Sequence, residues 1–110
     1  MICRVWHGWT TQENADAYER LLKREIFTGI ANRRIEGYRG IQLLRRAHDG
    51  EVEFVTIMWF TSIEAVRAFA GDDYTQAVVP PKARALLARY DQRSAHYDVR
   101  DDQRSSDLSV

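Results

Sequence analysis

The feature that most constrains this chain is a unit that occurs twice: a short apolar strand ending in an aromatic residue, a threonine, a glutamate three residues on, and an amphipathic helix. Trp9-Thr10-Thr11-Gln12-Glu13 opens one helix and Phe60-Thr61-Ser62-Ile63-Glu64 opens the other. In each, the threonine hydroxyl can accept a backbone N–H bond while the glutamate reaches back to the threonine's own N–H, a capping box that marks where strand gives way to helix.

Periodicity supplies the remaining elements. Residues 2 to 9 read as a strand and 11 to about 34 as a helix, with Ala15, Tyr18, Leu22, Ile26 and Ile30 on one face and a weak point at Thr28-Gly29. Tyr38 to Arg46 and Glu51 to Phe60 flank an Asp49-Gly50 hairpin signal, which places His48 in an exposed turn. A second helix runs from Ser62 to about Ala70 and breaks at Gly71; Asp72 or Asp73 can cap a short helical turn with Tyr74, Ala77 and Val78. Pro81 can start a third helix through Arg89, and Arg93 to Val99 reads as the last strand. Two strand-helix units joined by a hairpin make β-α-β-β-α-β, the ferredoxin-like α+β order: an antiparallel sheet with helices on one face. The domain covers residues 1 to 100, and the polar tail 101 to 110 reads as disordered.

At 110 residues the chain has length for one core. Sixteen Lys and Arg balance sixteen Asp and Glu, so no net field draws nucleic acid or an anionic membrane. The single Cys3 excludes an intrachain disulfide, no apolar run is long enough to span a bilayer, and the start MICRVWHGW lacks signal-peptide character, so the expected location is the cytoplasm.

Strand alternation separates two sheet faces. One collects Cys3, Val5, His7 and Trp9 with Ile41, Leu43, Val55, Ile57, Trp59, Ala95, Tyr97 and Val99, and is assigned to the helices. The other holds Arg4, Trp6, Gln42, Leu44, Phe54, Thr56, Met58, Phe60, Ser94 and His96. On that assignment Trp6, Phe54, Met58 and Phe60 would stand in water. Burying each is worth roughly 2 kcal/mol, enough in sum to rival an association cost on the order of 4 to 15 kcal/mol, so a homodimer with sheets face to face is expected.

Over residues 1 to 99 the chain resembles the antibiotic biosynthesis monooxygenase family of dimeric α/β barrels. The resemblance lies in MICRVWHGWTTQENADAYERLL, in EGYRGIQLLRR and above all in EVEFVTIMWFTSIEAVRAF, where an aromatic at the strand end precedes Ser-x-Glu-Ala. It implies oxidation of electron-rich phenols, quinols or anthrone-like polyketides by O2 with neither metal nor flavin, because the deprotonated substrate itself reduces O2. Such chemistry needs an apolar cavity, a base and donors for the developing anion.

On this reading His7 is base or anion donor, Trp59 a stacking wall and Tyr74 a rim donor, with Tyr18, Trp9 and Phe69 contacting a small aromatic ligand. Each has a plainer alternative: His7 as a hydrogen-bonded core residue, Trp59 and Tyr18 as core. Cys3 and His7 lie roughly 13 Å apart along one strand and form no thiolate-imidazole dyad. Two other readings stay open. One is a non-catalytic dimer that binds a small apolar ligand. The other is haem degradation, found on the same fold; its axial histidine has no counterpart here, because residues 62 to 89 contain no histidine.

Overall fold

The computed structural model describes residues 1–104. Strand β1 (Ile2–Thr11) leads into α1 (Gln12–Leu21), which continues through a π turn (Leu22–Ile26) into α2 (Phe27–Asn32). The hairpin β2 (Tyr38–His48) and β3 (Glu51–Phe60) follows, then α3 (Ile63–Ala70), α4 (Pro81–Leu86), β4 (Arg89–Tyr90) and β5 (Ala95–Asp98). The antiparallel sheet runs β2-β3-β1-β4, with β5 also pairing β1, so β4 and β5 together form the fourth strand of a ferredoxin-like fold. Asp49 and Gly50 both have positive φ (51° and 78°), the two-residue turn that the Asp-Gly pair predicts.

Both helix caps fall one residue later than the repeated motif predicts. Thr11 Oγ1 accepts from Asn14 N at 3.2 Å and Ser62 Oγ accepts from Ala65 N at 3.2 Å. Thr10 stays in the strand, fully buried, and its hydroxyl donates to Thr11 O. Glu13 and Glu64 therefore sit in the first turns, where they favour the helix dipole without closing a capping box. The first long helix is interrupted not at Thr28-Gly29 but by the π turn, an i→i+5 step that occupies an extra residue. The expected helical turn after Asp72 is a single turn around Tyr74, closed by Gln76 N to Asp73 O, that does not continue through Ala77 and Val78; Gln76 instead pairs with Arg93 in an isolated bridge. Helix α4 ends before Arg89 because Leu87 is already extended and Arg89 joins the sheet.

The sheet faces are the reverse of the sequence assignment. The helices cover Arg4, Trp6, Phe54, Met58 and Phe60, all at or below 9% exposure. Tyr18 meets Phe54 edge-on with ring centroids 4.9 Å apart, and Phe69 lies 5.9 Å from Phe60. One half of the core gathers Ala15, Tyr18, Leu22, Val52, Phe54 and Ala83; the other gathers Met58, Phe60, Ala65, Val66 and Phe69. Trp6, Phe54, Met58 and Phe60 are thus covered by the chain's own helices and cannot be the dimer face. A bulge between Tyr38 and Gly40 also shifts β2, so Ile41 and Leu43 pack inward while Gln42 and Leu44 face out with Val55 and Ile57.

The physical reason is that β1 and β3 are apolar on both sides, so alternation alone does not orient them. Their ends do. Glu51 and Glu53 share the face of Val55, Ile57 and Trp59, and Val52 shares that of Phe54, so burying the latter set leaves both carboxylates outside. Residues 101–104 form neither helix nor strand, and Arg104 stacks over Trp59 at 4.9 Å; the rest of the predicted tail, residues 105–110, lies outside the described residues.

Candidate functional site

Where α2, the end of α3 and the stretch 78–82 diverge, the helical layer opens into an apolar groove of about 620 Å³. Its walls include Leu21, Ile26, Ile30, Phe69, Val78 and Pro80, with Glu25, Arg33 and Lys82 at the rim. Gly29 forms part of the α2 wall, and a β-carbon there would meet no heavy atom within 4 Å. Lys82 Nζ lies 3.1 Å from Glu25 Oε1, and Arg33 donates to the carbonyls of Ala68 and Phe69, so the rim charges are largely engaged.

The groove adjoins a smaller void of about 60 Å³ between helices and sheet. Ile26, Ile30, Phe69, Val78 and Pro80 line both. The void's floor is the inner sheet face, with Arg4, Trp6, Thr56 and Met58, and Tyr18 and Ser94 reach it from the sides. Among the described residues that line it, Arg4 is the one with a formal charge.

Arg4 is held from several directions. Its guanidinium donates to Tyr74 O, to Gln76 O at 2.9 Å and to His96 Nε2 at 3.1 Å, and lies 5.4 Å from the centre of the Phe69 ring. Burial lowers its pKa to about 10, which leaves it a cation at neutral pH. Because arginine only donates, His96 Nε2 accepts here and the ring carries its proton on Nδ1. Burial, then the charge of Arg4, lowers the His96 pKa and keeps the ring neutral. Tyr18 is fully buried, and burial pushes its phenol pKa up, so it serves as a neutral wall.

The sequence-predicted residues divide between the two sides of the sheet. Tyr18 and Phe69 line the void, and Phe69 also lines the groove. Tyr74 contributes its carbonyl to Arg4, while its ring packs edge-on against His96 at 5.2 Å. His7, Trp9 and Trp59 lie on the outer face and line neither space. There His7 Nδ1 pairs with Glu53 Oε2 at 2.9 Å, Arg46 Nε meets Glu53 Oε1 at 2.6 Å, and the Trp9 ring has the Arg89 guanidinium over it at 3.9 Å and the near-parallel His7 ring at 6.1 Å. The expectation that His7 and Trp59 reach the cavity fails with the face assignment that placed them there.

Arg4 and His96 make the polar contact expected of two polar groups on one sheet face, but Arg4, Thr56 and Ser94 were not placed at the cavity by the sequence. The available signal was Arg4 itself, a lone charge alternating with Trp6 on an otherwise apolar strand face. As for metals, no three His, Cys, Asp or Glu side chains converge as ligands among the described residues.

No protein-family model and no curated protein sequence matches the chain. Solved structures do. A Bacillus cereus protein named as a candidate antibiotic biosynthesis monooxygenase superposes with a TM-score of 0.63 at 16% identity, over 94% of this chain and 97% of that one. Rv0793 of Mycobacterium tuberculosis superposes with a TM-score of 0.60 at 20% identity, over 92% of this chain and 96% of that one. At these identities the likeness establishes a shared fold along nearly the whole chain.

Proposed function

We propose that the chain holds a small, flat, mainly apolar ligand in the groove, and that it oxidises such a ligand with O2 as a cofactor-independent monooxygenase. The observation that carries the reading is the juxtaposition of a groove of about 620 Å³, within the size range of small-molecule sites, with an inner void where a buried cation waits. The fold shared with the Bacillus cereus protein supports the choice of chemistry.

For an anthrone-type substrate the reaction balances without a further reductant. The CH2 beside the rings loses a proton, the resulting enolate gives its electrons to O2, one oxygen atom replaces the two hydrogens as a carbonyl, and the other leaves as water. With the rings in the groove, the positive charge of Arg4 at its inner end favours the enolate over the neutral substrate, and the apolar walls weaken the screening of that interaction.

One observation favours a second reading, ligand binding without catalysis: among the described residues lining the void there is neither a carboxylate nor an imidazole to take the proton. An oxygen electrode with anthrone and alkyl-hydroquinones, run beside fluorescence binding of the same compounds, separates the two. Oxygen uptake above the uncatalysed rate supports oxidation; binding without uptake supports the second reading; neither overturns both.

Assembly belongs to the same proposal. Val5, Val55, Ile57 and Trp59 are half-buried on the outer face, and Leu44 and Tyr97 are 48% and 58% exposed there. We infer that a second copy packs on this face, bringing sheet against sheet.

A further inference from the structure

The void at the inner end of the groove contains two polar groups that the chain leaves incompletely satisfied. Ser94 is 6% exposed, yet its hydroxyl is buried without a hydrogen-bond partner. Arg4 is 3% exposed, and the three acceptors it reaches take three of its five N–H donors, all of them neutral groups. Buried cations are ordinarily matched by an anion, and buried hydroxyls by a partner. Both missing partners would stand in the same space.

Size narrows what could supply them. A water occupies roughly 10–15 Å³ on the scale of these volumes, so a void of about 60 Å³ takes on the order of four water-sized groups. The three atoms of a carboxylate fit within it. The groove outside has ten times that volume and apolar walls. No carboxylate among the described residues lines the void to repel an anion, and Glu25 at the groove rim is tied to Lys82.

We propose that the void is a carboxylate site, and that the ligand is an apolar monocarboxylic acid: its carboxylate accepts from Ser94 Oγ–H and faces the Arg4 guanidinium, while its hydrocarbon or aromatic body lies in the groove. The proposal rests on the groove being the ligand site and adds the chemistry of the head group. Ser94 is the specificity-determining residue, since Arg4 is already anchored to the 74–76 segment and serves the fold as well.

The test compares 1-naphthoate with its neutral counterpart 1-naphthamide, by fluorescence titration of the full chain at neutral pH. The parent should bind the carboxylate roughly tenfold or more tightly than the amide, as expected for a hydrogen bond to a charged group. Ser94→Ala should reduce that preference, weakening the carboxylate several-fold more than the amide, whose carbonyl accepts the same bond less strongly. Because this substitution removes an unpartnered hydroxyl, its melting temperature should equal or exceed the parent's. Equal binding of the two probes by the parent, or an undiminished preference in Ser94→Ala, overturns the carboxylate site and leaves the groove standing. If the parent binds neither probe, the groove itself is not a ligand site and both readings fall.

Discussion

Gly29 gives the most direct separation of stability from ligand binding. It lies within α2, where glycine costs about 0.8–1.0 kcal/mol relative to alanine because it gives up more backbone freedom on folding. Its absent side chain is also part of the groove, and an added β-carbon would touch nothing within 4 Å. Gly29→Ala should therefore raise stability by about 1 kcal/mol, which for a domain of this size is a melting-temperature rise of about 4 °C. Gly29→Phe should keep the fold while its ring, which has 150–250 Å² to bury, settles on the apolar groove walls. Circular dichroism melts would follow the first effect and titration with 1-naphthamide the second. The expected result is a stable Gly29→Phe protein whose affinity for the probe falls roughly tenfold, about 1.4 kcal/mol. Unchanged affinity in a folded Gly29→Phe would refute the placement of the ligand, and a lower melting temperature for Gly29→Ala would refute the account of the helix.

His7→Ala should leave oxygen uptake and groove binding within about twofold of the parent, since the imidazole lies across the sheet from the groove; a loss of roughly 10²-fold or more would restore it as a general base. Sedimentation equilibrium should give a dimer at micromolar concentration for the parent and a monomer for Ile57→Glu, which sets a charge in the middle of the outer apolar face; a monomeric parent would refute the sheet-to-sheet assembly. Hydrogen bonds from Arg46, then from His7, hold the Glu53 carboxyl below its ordinary pKa of 4.5. A depressed carboxylate stabilises the fold above its unfolded pKa and loses that contribution as pH falls through the folded value, so urea midpoints should decline below about pH 4.5. That decline should be shallower in Glu53→Gln, and identical slopes would show that the pair adds nothing.

The order of elements was legible in the sequence because most boundaries have a local cause: a hydroxyl residue ahead of α1 and of α3, Asp49-Gly50 in the hairpin, Pro81 at the start of α4. The inward positions of Ala15, Tyr18, Leu22 and Ile26 were legible from helical spacing, whereas Ile30 faces inward only because the π turn shifts the phase by one residue. Orientation of the sheet was harder, because Val5, Val55 and Ile57 on one side look as suited to a core as Trp6, Phe54 and Met58 on the other. Extending the alternation back to Glu51 and Glu53 decides it. The site followed the sheet: once the faces exchange, Tyr18 and Phe69 remain at the cavity and His7, Trp9 and Trp59 leave it. Ser94 could not be found by pattern, since what distinguishes it is an unfilled space in three dimensions rather than any neighbour in the chain.

The π turn at Leu22–Ile26 makes the groove a matter of helical phase. At 100° per residue, an unbroken α-helix would carry Ile30 about 90° round from the mean direction of Ala15, Tyr18 and Leu22, and Gly29 would stand on that line instead. The extra residue in the wide turn rotates everything beyond it back by one position, so that Ile30 faces the void and Gly29 is left on the groove side. Such a turn is what one inserted codon makes of a straight helix. Loss of a residue such as Arg24 would straighten the rod and keep that phase, whereas straightening with every residue retained would point Gly29 at the sheet and swing Ile30 across the opening. The binding space and its closed counterpart thus differ by the winding of one turn, with the sheet beneath unchanged.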